Sequence, residues 1–115
     1  MRLKAKQRLR TQKDFAQVRQ HGTKIHAGAF ILVFWEKEGS PDLRRIGIVA
    51  SRKVGNAVKR NRAKRLFREI FRLNQEALPP TGDFVIIVRS HFDGYSFESL
   101  QDRFLKTCKK AQGTL

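Results

Sequence analysis

Residues 44–73 read RRIGIVASRKVGNAVKRNRAKRLFREIFRL, and the period of the apolar positions changes within them. Up to Ser51 the period is two: Ile46, Ile48 and Ala50 share one face and Gly47, Val49 and Ser51 the other, the alternation of a strand. Gly55 then permits a sharp turn, and Asn56 can cap a helix that runs to about Leu73. Within that helix Ala63, Leu66, Phe67 and Ile70 recur at i, i+3, i+4 and i+7, which places them on one side. A strand that turns into an amphipathic helix is the unit around which the rest of the chain must be arranged.

The opposite side of the helix carries Asn61, Lys64, Arg65, Arg68 and Arg72 at the same spacing. Residues 52–72 hold nine Lys or Arg and one acid, Glu69. A solvated helix face interleaves Glu with Lys, because like charges three or four apart repel by a few tenths of a kcal/mol per pair. Here that interleaving is missing, and Arg outnumbers Lys six to three, which favours bidentate phosphate contact and stacking on bases. The ridge therefore reads as a surface for a polyanion. At its start VGNAV offers helix N–H groups beside Arg52 and Lys53, although it lacks the Gly-rich spacing of a nucleotide cradle.

Outward from this unit, the remaining elements follow from local pattern. TQKDFAQVRQHG (11–22) is a short helix with Thr11 as N-cap, Phe15 and Val18 on one face and Gly22 as terminator. AFILVFWEK (29–37) is β-branched and aromatic and has strand length; EGSPD (38–42) closes it and predicts an antiparallel hairpin with the strand at 44–51. A short extra strand fits near Lys24 to His26. LPPTGD (78–83) interrupts the chain before a further strand, DFVIIVRS (83–90). The last helix starts at Ser96, with Tyr95 and Leu100 placed as a staple across its cap. Phe97, Leu100, Phe104, Leu105 and Cys108 recur on one of its faces. The order α, β, β, α, β, α makes an α+β fold, a two-layer α/β sandwich.

A length of 115 residues suits a single domain over 1–115, with residues 1–10 as a basic arm. Nine Phe and a 40% hydrophobic content supply a core, and a net charge of +15 points to nucleic acid before membrane or acidic protein. AGAFILVFW (27–35) is too short to span a bilayer, and MRLKAKQRLRTQK has no apolar signal region, so the expected location is the cytoplasm with no membrane partner. Cys108 is alone and has no disulfide partner in the chain; on an apolar helix face it reads as buried and inert.

Catalysis by the protein itself finds no support in the residues. Paired carboxylates for Mg²⁺ are missing: the nearest, Glu36 with Glu38 and Asp42, fall at a turn. His21, His26 and His91 have no ligand spacing, and no nucleophile motif is present.

RIGIVASRKVGNAVKRNRAKRLFREIFR (45–72) closely resembles the signature of the protein subunit of bacterial ribonuclease P, the ribonucleoprotein that removes the 5′ leader from precursor tRNA. DFAQVRQHGT (14–23) and DFVIIVR (83–89) extend the resemblance over most of the chain. It implies a four-stranded central sheet with three helices, of the kind seen in domain 2 of ribosomal protein S5, with a left-handed β-α-β crossover where the general rule is right-handed.

The resemblance also implies a division of labour. The RNA subunit of ribonuclease P would hold Mg²⁺ and hydrolyse the phosphodiester, with no cofactor tightly bound by the protein and no catalytic residue on it. The protein would grip the RNA subunit through Asn56, Lys59, Arg60, Asn61, Arg62, Lys64, Arg65, Arg68 and Arg72, and the precursor tRNA 5′ leader in a cleft with Phe15, Arg19, Arg52, Lys53 and Arg89. The residues alone favour Phe15 as a core residue packing the short helix on the sheet; only the resemblance brings the cleft reading level with it. Arg19 stands where some relatives have a second aromatic; its guanidinium can both stack on a base and pair with phosphate. Two further readings of the same charge are a ribosomal or other structural RNA-binding protein and a DNA-binding regulator. The latter is disfavoured because a helix between two strands lacks the turn-linked partner helix of such proteins.

Overall fold

A computed structural model describes residues 7–36, 44–79 and 81–111. Helix α1 (Gln12–His21) is followed by strands β1 (Thr23–His26), β2 (Phe30–Trp35) and β3 (Arg44–Val49), helix α2 (Ala57–Leu73), strand β4 (Gly82–Val88) and helix α3 (Phe97–Ala111). The turn at 38–42, most of the basic arm and the tip of the Pro-Pro break lie wholly or partly outside the described residues.

The four strands form one sheet in the order β1-β2-β4-β3. β1 with β2 and β2 with β4 are antiparallel, whereas β3 and β4 run parallel and are joined through α2. The hairpin expected between 29–37 and 44–51 does not form, because β4 lies between those two strands. Alternation assigns each residue of β3 to a face but says nothing of which strand lies beside it. β4, buried along nearly its whole length, needs a neighbour on both edges and takes the inner place.

On one face of the sheet α2 and α3 close the main core. Phe30, Leu32 and Phe34 of β2, Ile46 and Ile48 of β3, and Phe84 and Ile86 of β4 pack against Ala63, Phe67, Ile70 and Phe71 of α2 and Leu100, Phe104 and Cys108 of α3. Each large side chain buried there contributes roughly 1.5–3 kcal/mol relative to exposure. Ala63, Phe67 and Ile70 are fully buried, as their spacing predicts. The helix caps also follow the sequence: Thr11 Oγ1 accepts from Asp14 N at 3.1 Å, Asn56 Oδ1 from Lys59 N at 3.0 Å, and Ser96 Oγ from Ser99 N at 3.1 Å.

The reverse face is covered more thinly. α1 buries Val18 against Val33 and Val85, together with Leu9 of the arm, and leaves Phe15, Trp35, Val49 and Ile87 half-buried around them. Ten residues of helix cannot roof four strands, so part of this apolar floor stays open beside the edge strand β3.

Candidate nucleic-acid interface

Burial of Ala63, Phe67 and Ile70 against the sheet fixes the rotation of α2, and the polar positions then divide into two flanks. Asn61, Arg62 and Arg65 are exposed and face away from the sheet. Lys64 and Arg68, half-buried, lean over the edge of β3. The single ridge expected from spacing is thus an outer flank and an inner flank of one helix.

Other residues assigned to the RNA-subunit contact have partners within the chain. Asn56 caps α2. Lys59 Nζ stands 3.1 Å from Asp93 and 5.8 Å from the centre of the Phe92 ring, tying the first turn of α2 to the segment after β4. Arg60 Nη1 donates to Gly55 O at 3.2 Å. Arg72 forms a bidentate pair with Glu69, one turn back on its own helix, and the hydrogen bond from Arg72 lowers the Glu69 pKa. Much of Arg72's charge is therefore already balanced.

Beside the inner flank a groove follows the outer edge of β3. Residues 7–10 run along that edge, with Leu9 N donating to Ile46 O at 2.9 Å and Gln7 Nε2 to Gln75 Oε1 at 2.8 Å. Two adjoining hollows of about 390 and 520 Å³ share Phe15, Ile48 and Lys64 in their walls. Arg8, Arg10 and Arg68 line one and Gln12, Ala16 and Arg19 the other, with Gly47, Val49 and Ala50 as floor. Among the described residues, five cations and no carboxylate surround an apolar strip. Burial lowers the Arg68 pKa, and the neighbouring Arg8 lowers it further, so these two like charges are held close with no acid between them. Arg8 Nε is buried and has no hydrogen-bond partner among the described residues. A phosphate oxygen is the chemistry that would satisfy this wall, and a base stacked on Phe15 would suit the strip.

Phe15 packs on the reverse-face core, as the sequence favoured, and also lines the groove. Arg19 lies in the groove wall. Arg52, Lys53 and Arg89 are not in that wall; they stand exposed beyond the ends of β3 and β4. Arg8, Arg10 and the floor residue Gly47 were not singled out by sequence. The signal for Gly47 was present, since a lone glycine inside a strand marks a close approach.

The acids of the described residues are largely committed elsewhere. Asp14 and Asp83 face Arg45, Glu69 faces Arg72, Asp93 faces Lys59 and Asp102 faces Lys106. No three His, Cys, Asp or Glu side chains converge among the described residues as a metal site would require. His21 stacks on Trp35 with ring centres 4.9 Å apart, and His91 lies 3.1 Å from Gly28 O. Burial pushes the Cys108 thiol up to about 12. Among the described residues no helix is long and apolar enough to cross a membrane. What remains is the groove along β3, walled by Arg8, Arg10, Arg19, Lys64 and Arg68.

A family model described as Ribonuclease P matches residues 3–112. A ribonuclease P protein component of Syntrophus aciditrophicus is 40% identical over 89 residues, covering 77% of this chain and 73% of the relative. That of Halalkalibacterium halodurans is 34% identical over 110 residues, covering 96% and 92%. Among solved structures, the RNase P protein from Thermotoga maritima superposes with a TM-score of 0.78 at 34% identity, covering 90% of this chain and 96% of that one. The RNase P protein of Staphylococcus aureus gives 0.76 at 27% identity, covering 90% and 93%.

Proposed function

The chain belongs to the ribonuclease P protein family, and from that premise we propose that it serves two ribonucleic acids at once through the two flanks of α2. The outer flank, with Asn61, Arg62 and Arg65, grips the RNA subunit. The groove along β3, with Phe15, Arg19, Lys64, Arg68, Arg8 and Arg10, holds the single-stranded 5′ leader of precursor tRNA. Arg52, Lys53 and Arg89 extend the positive field beyond the groove's end. Phosphodiester hydrolysis and the Mg²⁺ it needs belong to the RNA subunit, and the protein binds no cofactor tightly. This work is placed in the cytoplasm.

One observation carries the reading: five cations and a half-buried aromatic surround a groove with no carboxylate among its described residues, on the side of α2 turned away from its freest arginines. Charge and stacking together suit a flexible strand read loosely, because every base has a stacking face and every nucleotide a phosphate. A folded RNA on the outer flank leaves this groove open to a second strand.

The test is reconstitution with a ribonuclease P RNA subunit. Lys64→Ala and Arg68→Ala should weaken binding of precursor tRNA only when its leader is present. Arg62→Ala and Arg65→Ala should weaken binding of the RNA subunit itself. The protein alone should cleave nothing. Equal loss for leader-bearing and leaderless substrates in the Lys64 and Arg68 variants would remove the leader from the groove.

A further inference from the structure

One guanidinium group, just outside the groove, joins three elements of the fold. Arg45 of β3 donates through Nε and Nη2 to both carboxylate oxygens of Asp83 on β4, at 2.8 and 2.7 Å. Its third nitrogen, Nη1, stands 3.8 Å from Asp14 in the first turn of α1. The Asp83 side chain is only 3% exposed, and a buried carboxylate is strongly destabilising unless its partner is held in place. The fork of Arg45 is thus committed to Asp83, and the hydrogen bond between them raises the Arg45 pKa. What Arg45 offers α1 is a fixed point and not a mobile surface cation.

That point lies where the groove is shaped. Asp14 precedes Phe15, and Phe15 rests on Gly47, two residues along β3 from Arg45 and on the same face of the sheet. At its other end α1 is held by His21 stacked on Trp35. Along α1, Gln12, Phe15, Ala16 and Arg19 face the groove, whereas Arg45 is not among its lining residues.

We propose that Arg45 is a positioning residue: anchored by Asp83, it seats α1 through Asp14 and so sets the height of Phe15 and Arg19 above the groove. The inference rests on the groove being the leader's site. It has a signature that electrostatics alone cannot imitate. Neutralising Asp14 makes the neighbourhood of the groove more positive, which by field strength would tighten the hold on a polyanion. Loss of seating loosens it instead.

The experiment compares wild type with Asp14→Asn, Asp14→Glu and Arg45→Lys, each reconstituted with the RNA subunit. Affinities are measured for precursor tRNA with and without its leader, and emission is recorded from Trp35, the only tryptophan of the chain. Asp14→Asn and Arg45→Lys should each weaken leader-bearing substrate roughly two- to fivefold, the size set by a partly exposed ion pair. Both should shift Trp35 emission and leave the affinity for the RNA subunit unchanged; Asp14→Glu should restore the wild-type values. Unchanged or tighter leader binding in Asp14→Asn overturns the proposal. If wild type itself does not distinguish the two substrates, the functional reading of the groove fails, and Trp35 emission alone then decides the clamp: no shift in either variant overturns it.

Discussion

The ring of Phe15 occupies the space where any other residue at position 47 would place its first side-chain carbon: a Cβ on Gly47 would stand 2.4 Å from Phe15 Cε1 and 2.5 Å from Cζ. Contacts under 3 Å are not tolerated, so the ring must move. Gly47→Ala should cost about 1–3 kcal/mol of stability by overpacking, measured by urea unfolding. It should also weaken leader-dependent binding more than RNA-subunit binding. Equal stability in wild type and variant would show that the ring has room to yield.

Arg65 and Arg72, seven residues apart, lie on the same side of α2 but have different surroundings. Arg65 is exposed, whereas Arg72 is engaged by Glu69. Each lost phosphate contact should flatten the salt dependence of RNA-subunit affinity by roughly 0.7–0.9 in log–log slope. Arg65→Ala should show that full change and Arg72→Ala a smaller one. Glu69→Gln, which frees Arg72, should steepen the slope. A titration of affinity against salt for the three variants distinguishes these outcomes.

Asn56 stands next to the basic run, but its side chain is used by the helix itself. Asn56→Ala should lower stability by about 1 kcal/mol through loss of the cap, while Asn56→Ser should nearly preserve it. Thermal unfolding of the free protein should therefore separate the two variants without any RNA present.

Cys108 gives a pH dependence whose sign is fixed by its burial. Its folded pKa lies at about 12, above the unfolded reference of 9.0, so the thiol stabilises the fold fully below pH 9. As pH rises from about 9 to 12 the unfolded chain ionises while the folded chain does not, and that stability is lost. Cys108→Ala should remove this component, so the difference in unfolding free energy between wild type and variant should shrink across that interval. A thiol reagent at pH 8 should label the native protein only as fast as it opens.

Patterns internal to one segment were legible in the sequence; relations between segments were not. The caps at Thr11 and Asn56, the buried side of α2 and the short strand before Ala27 follow from residues within a few positions of one another. The parallel pairing of β3 with β4 does not, because Ile46 and Ile48 declare a face and not a neighbour. Lys59 reads as a free cation until Asp93, 34 residues later, is brought to it by the chain reversal after β4. Phe15 was ambiguous because a helix that only half covers a sheet makes one residue serve core and groove together. Lys64 and Arg68 were assigned to one ridge with Arg65, since angular spacing around a helix cannot tell which flank borders an open strand edge.

β3 is a border strand, and a border strand is a template on which a second copy of the same chain could add its own. Here Leu9 already occupies the Ile46 carbonyl, and a row of positive side chains stands on either side of what is left. The cations proposed to receive a nucleic acid would therefore also repel another molecule of the protein, so that guarding against fibre-like stacking and welcoming a ligand would fall to the same few residues.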